Sequence, residues 1–212
     1  MIGITFGNYH SYDDFDLILS SKSIESPSVK TESIDIPGAD SELDFTEFFG
    51  EPKYKNRQLK FDFHSILPYS EQLAQDSTIK NALHGQRVRI ILDSDPDYYY
   101  VGRLDVGTWS NDKNVGKLTI TANCEPWKYL LLPTTVTVNS VDDTTVTLNN
   151  LRRAVVPKIT TNADIILSWE GGTVALSAGT WTITDLILRA GANPVTITGA
   201  ATVVFEYQEA SL

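Results

Sequence analysis

The sequence predicts a mainly β protein with one helix, divided into an N-terminal and a C-terminal part. Three observations predict it. Short runs of β-branched, aromatic and aliphatic residues alternate with polar ones and are bounded by Gly, Asp and Asn clusters. Only residues 69–84 carry helical spacing. Past Pro133 the composition shifts to Thr, Val and Gly and the charge thins, as expected where one core ends and another begins. The expected domains are therefore 1–132, a β-sandwich-like domain with the helix, and 133–212, a small β-sandwich.

In the first part, alternation places strands near 2–6, 15–20, 29–36, 54–64, 86–92, 98–106 and 117–123. The helix starts behind Pro68 with Ser70-Glu71, and Tyr69, Leu73, Ile79, Ala82 and Leu83 give an incomplete apolar stripe that Asp76-Ser77 is expected to split. Gly85 stands where a left-handed C-terminal cap is wanted. Val88, Ile90 and Leu92 form the next strand, Asp93-Ser94-Asp95-Pro96-Asp97 supplies an acidic hairpin tip, and Tyr98-Tyr99-Tyr100-Val101 returns. Leu118, Ile120 and Ala122 share one face of a third strand, after a loop that contains Asn111-Asp112-Lys113-Asn114. In the second part, Val136 and Val138 against Val146 and Leu148 read as one hairpin. Ile165, Leu167 and Trp169 against Val174 and Leu176 read as another, turning at Gly171-Gly172 with positive φ.

Residues 37–54 fit neither period. Leu43, Phe45, Phe48 and Phe49 are too apolar for a loop in water, so the segment either folds over its own core or covers a neighbouring subunit. Phe45, Phe48 and Phe49 are the candidate oligomer-interface residues.

Composition bounds the function classes. A net charge of −10, from 17 basic and 27 acidic residues, disfavours tight nucleic-acid binding, which needs clustered Lys and Arg. No apolar run is long enough to span a bilayer, and the N-terminus has no basic stretch of a signal peptide, so folding in a cytoplasm is expected. The single cysteine, Cys124, fits a small buried hydrophobe in a strand. The metalloprotease H-E-x-x-H, the nucleophile elbow, the phosphate loop and the dinucleotide fingerprint are all missing, so no enzyme activity and no cofactor are expected. His10, His64 and His84 are scattered, and His84 suits a helix cap, where the dipole favours its charged form. Asp93, Asp95 and Asp97 match the first three ligands of a calcium loop, but Tyr98 replaces the turn glycine and Leu104 the closing glutamate, so no metal site is expected. Trp169 and Trp181 would stack on sugars if exposed; the register of Trp169 with Ile165 and Leu167 points it inward.

The stretch HG-x-RV-x-IILD-x-DPD-YYY-VGR from His84 to Arg103, followed by KLTI-x-A-x-CEPWKY from Lys117 to Tyr129, resembles the distal tail protein family of long-tailed phages that infect Gram-positive bacteria. Ser11-Tyr12, Leu17 to Lys22, Lys30-Thr31, Ile34 to Asp40, Leu43 to Glu47 and Tyr54 to Arg57 follow the same order through the first 130 or so residues, and Leu176 to Thr180 with Phe205-Glu206-Tyr207 echo it near the end. The resemblance implies a structural tail protein forming a hexameric ring, with a galectin-like or jelly-roll C-terminal domain. It implies a virion location at the tail tip, partners in the tail tube protein and the tail-tip or tail-associated lysin protein, and receptor-binding proteins outside. The ring would leave a channel for DNA, and an acidic lumen would let it slide; acidity that simply keeps the protein soluble is the other reading. Two other function classes stay open: a carbohydrate-binding β-sandwich module, and a hydrolase built on two facing carboxylates.

Overall fold

A computed structural model describes residues 2–48, 50–112 and 115–212. The chain forms two compact units, Met1–Pro126 and Trp127–Leu212, a division ahead of the 132/133 boundary read from composition.

Unit 1 contains, in order, β1 (Ile4–Phe6), β2 (Tyr9–His10), β3 (Leu17–Ile24), β4 (Ser33–Ile34), β5 (Leu43–Asp44), β6 (Arg57–Ser65), α1 (Gln72–Leu83), β7 (Arg87–Leu92), β8 (Asp95–Val106), β9 (Ser110–Asp112) and β10 (Val115–Cys124). Its sheet runs β2-β1-β7-β8-β10-β6-β3, with β9 on β10, and every pairing is antiparallel. Strict alternation makes one face the core: Leu59, Phe61 and Phe63 of β6 and Leu118, Ile120, Ala122 and Cys124 of β10 are all buried. The sheet curls onto itself. β1 and β6 lie four strand steps apart, about 19 Å if flat, yet the Phe6 and Phe61 rings meet edge to face at 5.7 Å. A sandwich-like interior thus comes from a single sheet.

The helix closes this interior in a way the apolar stripe did not foretell. It is continuous across Asp76-Ser77, where Asp76 takes an ion pair from Lys80 at 2.7 Å. Ile79 and Leu83 are buried as expected, but Leu73 and Tyr69 are 78% and 62% exposed, and Gln72 and Gln75 take the inward positions. The glutamines are buried because each is tied: Gln75 accepts the Ser65 hydroxyl at 2.5 Å and its amide donates to the Phe15 carbonyl, while Gln72 donates to the Leu67 carbonyl at 3.1 Å. A polar clamp joining helix, β6 end and the Phe15 loop has replaced an aliphatic contact. Gly85 follows at φ +75°, the left-handed cap position expected of it.

The acidic tip of the β7–β8 hairpin is shorter than expected. Asp93-Ser94 alone make the turn, and β8 already begins at Asp95. The register jumps from Ile91↔Tyr99 to Leu92↔Asp95, so Pro96 falls in a bulge, where its missing N–H breaks no ladder bond.

Unit 2 comprises β11 (Lys128–Leu130), β12 (Thr134–Ser140), β13 (Thr144–Asn150), β14 (Lys158–Thr161), β15 (Ile165–Trp169), β16 (Gly172–Leu176), β17 (Gly179–Thr182), β18 (Gly191–Thr198), β19 (Ala201–Tyr207) and β20 (Ala210–Ser211). It is a sandwich of two four-stranded sheets, β12-β19-β14-β17 and β13-β18-β15-β16, around Leu148, Ile159, Leu167, Ile197, Val203 and Phe205. The expected hairpin of Val136/Val138 with Val146/Leu148 does not form: β12 pairs with β19 and β13 with β18, in opposite sheets. Both arrangements turn the same valines inward, so alternation could not distinguish them. The β15–β16 hairpin does form, but it turns at Glu170-Gly171, and neither Gly171 nor Gly172 has positive φ.

Candidate functional site

Between β3 and β6 the chain leaves the sheet. Residues 25–56 make a two-limbed arm whose backbone bonds join its own limbs: Lys55 N–H to the Ser28 carbonyl at 2.8 Å, Lys30 to Lys53 at 2.7 Å, a Val29–Tyr54 bridge, Phe45 to Glu32 at 2.7 Å, and the β4–β5 pair Ser33↔Asp44 and Ile34↔Leu43. Near its end, Ile36-Pro37-Gly38-Ala39 closes with Ala39 N–H on the Ile36 carbonyl and Gly38 at φ +89°. Asp44 caps the turn into Thr46, accepting its amide at 2.8 Å, and the Thr46 hydroxyl and amide hold the Asp44 carboxyl below its ordinary value.

No described residue of this arm is buried. Phe48 is 71% exposed and Ile34 58%, with Ile36 and Leu43 exposed beside them. Phe45 is half-buried, its ring edge-on to Phe48 at 5.9 Å; Phe49 lies outside the described residues. Ile34, Ile36, Leu43, Phe45 and Phe48 do not join the interior cluster of unit 1. Sequence reasoning missed the exposure of Tyr69, in the turn before α1, and of Leu73 on α1, because their spacing matched an inward stripe.

A concave polar face of about 470 Å³ covers the outer side of β6, β10, β8 and β7, lined by Asn56, Gln58, Arg87, Arg103, Asn123 and Glu125 among others. Its arginines are engaged: Arg87 pairs with Glu125, Arg103 donates to the Gly85 carbonyl at 2.6 Å, and nearby Arg89 lies over the Tyr99 ring at 4.7 Å.

The other sequence candidates take structural places. The Asp93 carboxylate accepts the Gly3 amide at 2.7 Å and faces His10 Nε2 at 3.2 Å, pinning the N-terminal strand to the hairpin turn. Among the described residues no three or more His, Cys, Asp or Glu side chains gather as cation ligands. His84 is the C-cap residue, with its Nδ1 3.2 Å from the Val106 amide nitrogen and 3.5 Å from Asp105 Oδ1. His64 sits one residue before the end of β6. Cys124 is fully buried opposite Arg57, and burial, only partly offset by Arg57, pushes its thiol up to about 12, so the thiol form dominates at neutral pH. Arg57 itself is buried and stacked on Tyr100 at 4.9 Å, its Nε and Nη2 without hydrogen-bond partners among the described residues, and burial lowers its pKa. Trp169 packs against the unit 2 core, and Trp181 is 38% exposed with its N–H on the Ser177 carbonyl at 2.9 Å. Among the described residues no helix is long and apolar enough to cross a membrane.

No protein-family model matches the sequence, and no curated protein matches it. The structure is similar to the crystal structure of the SPP1 Dit (gp 19.1) protein, described as a paradigm of the hub adsorption apparatus in phages that infect Gram-positive bacteria. The TM-score is 0.72 at 16% sequence identity, covering 98% of this chain and 99% of that one. At that identity the likeness establishes the shared fold.

Proposed function

We propose that the protein is a structural component of a phage tail, a hub that assembles as a hexameric ring between the tail tube and the tail tip. The observation that carries this reading is the arm. This self-bonded, two-limbed excursion leaves Ile34, Ile36, Leu43 and Phe48 exposed, and monomers rarely leave such patches bare. Covering each of these side chains with a second copy would contribute about 1.5–3 kcal/mol. The full-length likeness to a hub protein supplies the context for such an assembly.

In this reading residues 1–132 carry the ring-forming information, the terminal sandwich is an outward appendage, and the tube protein and the tail-tip or lysin protein bind the two ring faces, with receptor-binding proteins outside. The net charge of −10 suits a channel that DNA crosses without adhering. The role is architectural, with no catalysis. Negative-stain images and sedimentation of the whole chain, alone and with its tube or tip protein, test the reading. Rings are expected, and Phe48→Asp should abolish them; a protein that stays monomeric alone and with both partners overturns it.

A further inference from the structure

We propose that the acidic arm of one copy seats on the basic outer face of the β6-β10-β8-β7 sheet of the next copy, a contact that rests on the hub reading and names the two surfaces it needs.

The distal half of the arm has a composition found nowhere else in the chain. From Glu32 to Glu51 it holds seven carboxylates and no Lys or Arg, while the arm's lysines, Lys30, Lys53 and Lys55, sit at its root. Among the described residues none of Glu32, Asp35, Asp40, Glu42, Asp44 and Glu47 makes an ion pair. Ile34, Ile36, Leu43 and Phe48 stand exposed between them. A cover for such a surface must bring positive charge as well as apolar area, because carboxylates taken out of water without a cation are strongly disfavoured.

The chain is acidic overall, yet the outer face of this sheet is not. Arg87, Arg89 and Arg103 alternate outward from buried Ile90, Leu92 and Leu104 and are exposed. Lys60 and Lys117 flank them, partly answered by Asp62 at 3.6 Å and Asp112 at 2.8 Å. Asp105 and Glu125 are the acids beside the arginines. The register sets Arg87 directly opposite Arg103. Like charges so placed repel across the ladder, and a carboxylate from outside relieves that repulsion. Arg87 spends one N–H on Glu125 and Arg103 one on the Gly85 carbonyl, which leaves most of the five donors of each guanidinium uncommitted. Half-buried Ile91 and Val101, with the aliphatic stems of the arginines, supply the apolar share.

Reach and sign favour this pairing over others. The limb from Lys30 to the Gly38 turn extends at most about 30 Å, and four strands span about 14 Å, so one arm crosses the whole face. Within its own copy the arm is bonded to itself, and none of its described residues is buried. The exposed apolar patch of Ile66, Tyr69 and Leu73 lies in a segment, 66–76, with two acids and no base, which repels the arm. Arm and face are different patches, so their contact is heterologous, the kind that repeats around a ring.

The test mixes two full-length variants, Arg89→Glu with Arg103→Glu on the face and Asp35→Lys with Asp40→Lys on the arm, all four at exposed positions and with melting temperature unchanged. Association is read by sedimentation and negative stain, with the tube or tip protein added wherever the parent needs it. Each variant alone should associate about a hundredfold more weakly than the parent. Their equimolar mixture should recover rings, because the unaltered arm of the first fits the unaltered face of the second, and the reversed arm of the second fits the reversed face of the first. Damage to the fold is not rescued by mixing. Salt should weaken the parent's association. If either variant rings like the parent, or if the mixture stays apart while the parent rings, the pairing is wrong and the hub reading stands. If the face variant still forms rings but loses binding of a short DNA duplex, the face serves nucleic acid and the pairing is wrong. If neither parent nor mixture associates under any of these conditions, the pairing and the hub reading fall together.

Discussion

β6 and the arm that precedes it are neighbours in sequence and comparably apolar, yet their fates are opposite. Leu59, Phe61 and Phe63 are each at most 1% exposed, whereas Ile34, Leu43 and Phe48 are 48–71% exposed. The difference lies in spacing. β6 alternates over nine residues and presents one apolar face to a curled sheet. The arm's apolar residues follow no period, and its paired strands are two residues long, so no single face of it can be sealed against the core. Apolar content announces that something must cover a segment; periodicity says whether the chain itself does.

That contrast can be broken from the core side first. Phe61→Ala should cost about 3–5 kcal/mol, read as a large drop in denaturation midpoint, because Phe61 is fully buried and meets Phe6 edge to face. Next comes Gly102→Ala, whose Cβ would stand 2.3 Å from Cys124 Sγ. A loss of about 1–3 kcal/mol is expected, and Cys124→Gly should recover only part of it in the double variant, because the Asn123 carbonyl oxygen and Cys124 Cα would still stand 2.9 and 3.0 Å from the new Cβ. On the paired strand β10, Cys124 should resist maleimide in the folded protein and react readily in denaturant, since its thiol is buried and raised to about 12.

A smaller effect concerns pH. The Thr119 hydroxyl first, and the Ser21 hydroxyl second, hold the Asp62 carboxyl below its ordinary value, each at 2.7 Å. A depressed folded pKa means that the stabilisation is complete above the unfolded value, about 3.9, and is lost as pH falls through the folded one. Asp62→Asn should therefore flatten the acid limb of the stability curve and leave its neutral plateau lower. Smallest of all for folding, Phe48→Asp should change monomer stability by no more than about 0.5 kcal/mol while removing assembly. If it unfolds the monomer instead, the distinction between core and arm is wrong.

Much of this was legible beforehand. The β class, the strands near β6, β7, β8 and β10, the lone helix and the sandwich of unit 2 follow from alternation, because half-buried strands leave that mark. The inward glutamines of α1 did not, since what buries Gln72 and Gln75 is a set of partners distant in sequence: Ser65, Leu67 and Phe15. The pairing of β12 with β19 was hidden for the same reason. The arm's apolar residues were visible as a conflict between pattern and composition, and the structure leaves Ile34, Ile36, Leu43 and Phe48 exposed.

Unit 2 begins and ends at one edge: Lys128 pairs with Ser211 and Tyr129 with Ala210, and β12 then pairs along β19 from Thr134↔Tyr207 to Ser140↔Ala201. Antiparallel ladder bonds lie across the strands, so tension applied between residues 127 and 212 loads them singly, from the end inward, like a zipper. Such a unit yields at low force when pulled by its two chain ends and resists far better when gripped across its sheet faces. Single-molecule stretching from the two ends should register a low, gradual opening, and a partner that must hold on while the assembly is tugged would do so against the faces.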